Sequence, residues 1–126
     1  MRVVHYLNQF FGGIGGEAEA NLPLEVRLGA VGPGRALERA LPADSSVVAT
    51  IICGDNYAAE RLEEVAALAA DKVKEAQGDL LVAGPCFVAG RYGVAAAAVC
   101  AAVQARLGIP VITGMAAENP GVDLYR

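Results

Sequence analysis

Residues able to do chemistry recur in this chain just after its apolar runs. "RVVHYLN" (2–8) ends on Asn8 and leads into "QFFGGIGG". "VVATIIC" (47–53) is followed by Asp55, Asn56 and Tyr57, and "DLLVAG" (79–84) by "PCFVAGRYG", with Cys86, Arg91 and Tyr92. "PVITG" (110–114) precedes Glu118 and Asn119. Arginine is the usual two-pronged partner of a carboxylate, and the start of a helix adds a favourable dipole. Arg91 and Tyr92, expected in the first turn of a helix, therefore suit an anionic ligand. A structural ion pair of Arg91 with Asp55 or Glu118 is the competing reading. Asp55 or Asn56 would equally serve as a helix cap. Cys86, between a strand and a helix, is placed where a thiolate can be stabilised; an inert buried thiol is the commoner state. His5, inside a strand, reads as a core histidine, and Cys100, mid-helix, as core.

"NQFFGGIGGEAEA" (8–20) raises a second possibility, because "GIGGEA" fits the spacing G-x-G-x-x-A. A dinucleotide loop needs a long helix directly behind its glycines. The following "EAEANLPLEVRLGAVGPG" is broken by Pro23, Gly29 and Gly32 and cannot supply one. What remains is a long Gly-rich loop over 8–31. Its Gly12, Gly13, Gly15 and Gly16 form a flap able to approach a ligand or another chain closely.

The elements that must position these groups follow from periodicity. The four apolar runs are near-continuous in Val, Ile and Leu, as in parallel strands buried on both faces. Helical spacing fills the gaps at 32–42, 57–78 and 90–108, with Leu62, Val65, Ala69 and Val73 on one stripe and Gly78 closing that helix. The order β-α-β-α-β-α-β predicts an α/β fold: a three-layer, open parallel sheet of about four strands, flavodoxin- or Rossmann-like. In such a sheet the second and third strands flank the first, which makes a Cys53–Cys86 disulfide geometrically unfavourable. Ligands bind beyond the carboxyl ends of the strands, where the polar groups above collect. The third helix is uncharged from Val94 to Val103. It is either tucked against the sheet or covered by a second subunit, and the reading leans to the subunit. The tail 115–126 has turn chemistry at Asn119-Pro120-Gly121, no closing helix, and leads onward into a further segment or a partner.

The totals fit one domain spanning 1–126. The chain has 126 residues, 55% hydrophobic and 19% charged, with a formal net charge of −4. Without a basic cluster, nucleic acid and anionic membranes are poor partners. No apolar run approaches a membrane span, and no signal peptide is evident, so a cytoplasmic location is expected. One histidine, three cysteines and no C-x-x-C pair argue against a metal site and against a disulfide framework.

"MRVVHYLNQFFGGIGGE", "VGPGRAL", "ICGDNY", "AGRYGVA" and "TGMAAENPGVDLYR" together resemble the N-terminal part of the selenoprotein subunit of component B of the glycine, sarcosine and betaine reductases, with D-proline reductase a more distant relative. The likeness spans nearly the whole chain in order. It implies reductive cleavage of a C–N bond in a small amino acid or its N-methylated form. In that family a selenolate attacks the α-carbon and expels the amine. The adduct then passes to a second selenoprotein. In glycine reductase a companion subunit carries a pyruvoyl group that holds the substrate amine.

Two departures stand out. The family's U-x-x-C selenocysteine motif lies far downstream and has no match here, so this chain alone is expected to be inactive and to carry no cofactor itself. Selenocysteine and the pyruvoyl group are expected elsewhere in the complex. In addition, Pro85-Cys86-Phe87-Val88 replaces a segment where members often have Ala and Asn. The resemblance makes the chain a substrate-pocket and assembly domain. Its expected partners are a small amino acid and either other reductase subunits or a further copy of itself. Under this reading Arg91 holds the carboxylate, and Asn8, Asp55, Asn56, Tyr57, Tyr92, Glu118 and Asn119 shape the pocket. The alternative is a non-catalytic oligomerisation or binding module derived from that family.

Overall fold

The computed structural model describes residues 1–125; Arg126, at the end of the expected tail, lies outside the described residues. Strand β1 (Arg2–Asn8) is buried along all but its first residue. It forms the centre of a five-stranded sheet because parallel strands bond both its edges, β3 (Ser46–Cys53) on one side and β4 (Leu80–Ala83) on the other. β5 (Val111–Thr113) continues the parallel set beside β4. The second and third predicted strands thus do flank the first.

The sheet is mixed, not purely parallel. β2 (Glu25–Leu28), inside the predicted loop 8–31, pairs antiparallel with β3 and forms an edge, giving the order β2-β3-β1-β4-β5. Its pattern is half-exposed to exposed throughout, with Leu28 at 90% exposure. An edge strand that buries so little carries no apolar run to announce it.

Helices cover both faces. On one, Leu37 and Leu41, from α1 (Gly34–Ala40) and its end, pack with Val3, Val47 and Leu80. On the other, Val4, Tyr6, Ile51, Cys53, Leu81 and Ala83 of the strands meet α3 (Leu62–Glu75) and α4 (Gly90–Leu107). Tyr6, Ile51, Leu81, Tyr92 and Val99 there are fully buried, each stabilising the fold by about 1.5–3 kcal/mol relative to an exposed side chain.

The predicted helix over 57–78 is two helices, α2 (Asp55–Glu60) and α3, separated at Arg61 (φ −134°, ψ 45°). The Arg61 guanidinium lies 4.3 Å from the Tyr57 ring centre. Glu63 and Glu64 open α3 and Lys72 and Lys74 close it, matching the helix dipole at both ends. Val65, Ala69 and Val73 of the predicted stripe are buried, and Leu62 is half-buried. The chain leaves this helix through a left-handed Gln77 (φ 55°), one residue before the predicted Gly78.

α4 is packed along most of its uncharged stretch, with Ala101 exposed and Val94, Ala98 and Ala102 half-buried. Ala95, Ala96, Ala97, Val99, Cys100 and Val103 are buried between α3, the sheet and a closing helix α5 (Gly121–Tyr125). Most of its apolar length is therefore tucked within the chain, which is the first of the two alternatives, and little apolar surface is left for a second subunit to cover. α5 also corrects the expectation of no closing helix. A five-residue helix that starts on glycine is too short to show periodicity.

Candidate functional site

The carboxyl ends of β1 and β3 run into one polar cluster. Asn8 ends β1, and its side-chain oxygen accepts from the Phe11 N–H at 2.9 Å, turning the chain into the glycine loop. Asn8 Nδ2 donates to Asp55 Oδ2 at 3.1 Å, and Gln9 Nε2 reaches the same oxygen at 3.5 Å. Gln9 Oε1 accepts from the Asp55 N–H at 2.9 Å. Thus Gln9 satisfies the first free N–H of α2. Neither Asp55 nor Asn56 caps that helix, whose cap position is Gly54 with no side-chain bond. Asn8, Gln9 and Asp55 are all buried. Burial raises the Asp55 carboxyl above its ordinary range; the hydrogen bond from Asn8, the Arg91 charge and the hydrogen bond from Gln9 oppose that rise, and Glu17 adds to it.

Arg91 stands in the first turn of α4. Its Nη2 donates to Glu17 Oε2 at 2.7 Å, so its ion-pair partner is neither Asp55 nor Glu118. Glu17 lies in a single 3-10 turn (Glu17–Glu19) at the crest of the glycine loop. That short turn and then β2 follow the glycines, so the long helix that a dinucleotide loop needs is not there. Gly12 lies against Ile52, where a Cβ would come within 2.8 Å of Cγ2, and Gly13 has φ +76°, a conformation that favours glycine. Gly15 faces the Glu19 side chain, and Gly16 borders open space. Ala20 O accepts from the N–H groups of Asn56 and Tyr57, at 2.8 and 3.0 Å, which ties the far end of the loop to α2. Beside Arg91 opens a groove of about 310 Å³ lined by Ala59, Leu62, Gly90, Arg91, Val94 and Pro120. Apart from the guanidinium its lining side chains are apolar.

The remaining predicted residues separate from this cluster. Asn56 is on the surface, donating to Asn21 Oδ1 at 2.6 Å. Tyr57 is half-buried against the core and under Arg61. Tyr92 is fully buried, its hydroxyl donating to Tyr6 O at 3.4 Å and its ring 5.9 Å from Phe11. Glu118 is exposed in the turn before α5. Asn119 is buried and structural: Nδ2 donates to Phe87 O at 3.0 Å and Ala89 O at 3.1 Å, while Oδ1 accepts from Gly121 N–H at 2.9 Å. These bonds hold Phe87 in a left-handed conformation (φ 51°), unfavourable for an aromatic residue, with its ring stacked 5.8 Å from Phe11.

Cys53, Cys86 and Cys100 are free and buried. Burial pushes the Cys86 thiol up to about 12, so the expected thiolate stabilisation is replaced by the opposite effect. His5 is buried with Nε2 donating to Gly84 O at 2.6 Å, while Nδ1 has no partner; burial lowers its pKa. Sequence reasoning missed the two side chains that organise the rim, Gln9 and Glu17. Both lie in the quoted glycine stretch, where their long-range partners leave no local signal.

Fold and rim together define a mixed-sheet α/β chain whose buried carboxyl and exposed arginine lie beyond the carboxyl ends of β3 and β4 and feel each other's charge. The chain belongs to the glycine/sarcosine/betaine reductase selenoprotein B family, which matches residues 1–126. It is 55% identical over 126 residues to the sarcosine reductase complex component B subunit beta of Peptoclostridium acidaminophilum. It is 57% identical over 126 residues to the glycine reductase complex component B subunit gamma of Symbiobacterium thermophilum. Identity to the betaine reductase complex component B subunit beta of Peptoclostridium acidaminophilum is 39% over 125 residues. The chain is covered in full by the first two and 99% by the third, yet spans only 29%, 29% and 28% of their respective lengths. No solved structure gives a significant match. Among the described residues, no helix is long and apolar enough to cross a membrane.

Proposed function

We propose that this chain forms the carboxylate-anchoring wall of the substrate pocket in a reductase complex that cleaves the C–N bond of glycine, sarcosine or betaine. The observation that carries the reading is Arg91: an exposed guanidinium at the start of an 18-residue helix, already seated on a carboxylate, beside a small apolar groove. A zwitterion with a short body fits this chemistry. Its carboxylate takes the guanidinium in a charge-assisted, two-pronged pair, and its methylene or N-methyl groups rest against Leu62, Val94 and Pro120. Asp55, buried nearby, contributes through charge. Arg91 lowers its pKa and Glu17 raises it, so the three groups share one electrostatic environment.

The residues of this rim bind and orient. The buried Cys86 thiol, at about 12, is held protonated at neutral pH. Bond cleavage then falls to a selenocysteine and a pyruvoyl group carried elsewhere in the complex. Calorimetry against glycine, sarcosine and betaine tests the binding role. Millimolar or tighter binding that Arg91→Gln abolishes is the expected result; binding indifferent to Arg91→Gln would overturn the assignment.

A further inference from the structure

Resting on that reading of Arg91, we infer that Glu17 is a built-in competitor: an intramolecular carboxylate that occupies the guanidinium until a ligand carboxylate takes its place. The pair joins residues 74 positions apart, at 2.7 Å, and its energetics favour exchange over permanence. Both side chains are exposed, 41% for Arg91 and 74% for Glu17. Exposed ion pairs gain little because water already solvates both partners. A ligand carboxylate that also buries its body in the adjoining groove has an extra source of affinity that Glu17 lacks.

The loop is built for such an exchange. Its two ends are fastened, by Gln9 O accepting from Ile14 N–H at 3.0 Å and by Ala20 O accepting from α2. Between these fastenings the Glu17 turn is held by Glu19 N–H to Gly16 O at 3.0 Å and Ala20 N–H to Glu17 O at 3.1 Å, with one long bond from Gln9 Nε2 to Gly16 O at 3.4 Å tying it to the cluster below. A Cβ at Gly13 or Gly16 would meet nothing within 4 Å, so the crest borders open space there, although Gly15 lies against the Glu19 side chain. One carboxylate replacing another keeps the guanidinium paired, while the ligand's cationic end adds a positive charge to the groove. The exchange therefore selects ligands that carry a carboxylate and penalises neutral or cationic amines, which would leave Glu17 in place.

The test compares the chain with Glu17→Gln and Arg91→Gln by calorimetry against glycine, betaine and acetate. Glu17 is fully solvated at the surface, so its substitution does not endanger folding. Removing the competitor is expected to tighten betaine and glycine binding by roughly two- to five-fold, the scale of an exposed ion pair. Ligand is also expected to speed amide hydrogen exchange at Glu19 and Ala20. Unchanged or weakened binding in Glu17→Gln, with binding still lost in Arg91→Gln, would overturn the competitor role while leaving the Arg91 anchor intact. Binding that survives Arg91→Gln, or absence of binding by both the chain and Glu17→Gln, would overturn the two together.

Discussion

Asn8 and Asp55, 47 positions apart, are joined by a 3.1 Å hydrogen bond that ties the end of the central strand to the first residue of α2. The bond supports a carboxyl that folding has pulled out of water. Because burial is the largest influence on Asp55, its proton is held more tightly in the folded chain than in the unfolded one.

The sign of the resulting pH dependence is fixed. A carboxyl with a raised folded pKa makes the native state bind more protons, so its contribution to stability falls as pH rises from the ordinary carboxylate value, about 3.9, through the raised one. Asp55→Asn keeps the shape and the oxygen that accepts from Asn8, and removes the charge. The variant should be more stable than the parent to urea at pH 8, and the difference should vanish on acidification below the ordinary carboxylate range. Urea midpoints across pH check this. A variant less stable at pH 8 would mean that the hydrogen bonds from Asn8 and Gln9 together with the Arg91 attraction outweigh burial.

The cysteines should be silent. At about 12, the thiols of Cys53, Cys86 and Cys100 hold roughly one part in ten thousand as thiolate at pH 8, and all three are also buried. Native protein should resist iodoacetamide for hours and label at three sites once unfolded. Rapid selective alkylation of Cys86 would restore it as a reactive group.

Asn119 closes the C-terminal end of the fold. Asn119→Ala leaves Gly121 N–H without its partner and removes the second donor from Phe87 O and Ala89 O, which keep the N–H groups of Ala116 and Gly93. Leaving the buried Gly121 N–H unpaired should cost about 1–3 kcal/mol where it stays dry, with a smaller loss at the two carbonyls, and the left-handed Phe87 should relax. Gly93→Ala should do comparable damage, because a Cβ there strikes the Asn119 side chain. Thermal denaturation measures both, and near-parental melting of either variant would show that α5 is dispensable.

Much of the frame was legible because it is written in long apolar runs. β1, β3 and α4 each bury enough Val, Ile, Leu or Ala for periodicity to find them. β2 and α5 escaped for the opposite reason: one is a largely exposed edge and the other a single short turn of chain. The same contrast runs through the rim. Asp55, Asn8 and Arg91 stand at strand and helix ends, where topology alone gathers polar groups. Glu17 pairs across 74 positions and Gln9 across 46, so nothing in their neighbours' spacing points to either. Asn119 was legible as a polar residue on the rim, yet its oxygen and nitrogen are both spent on the backbone.

The central claim is that Arg91 takes a ligand carboxylate in the groove beside α4. Titrating betaine into isotopically labelled protein and following the Arg91 side-chain Nε resonance tests it most directly. A saturable shift at Arg91, accompanied by changes at Val94 and at the Glu17 turn and absent when choline replaces betaine, is the predicted result. A resonance that stays fixed while ligand perturbs another part of the surface would contradict it.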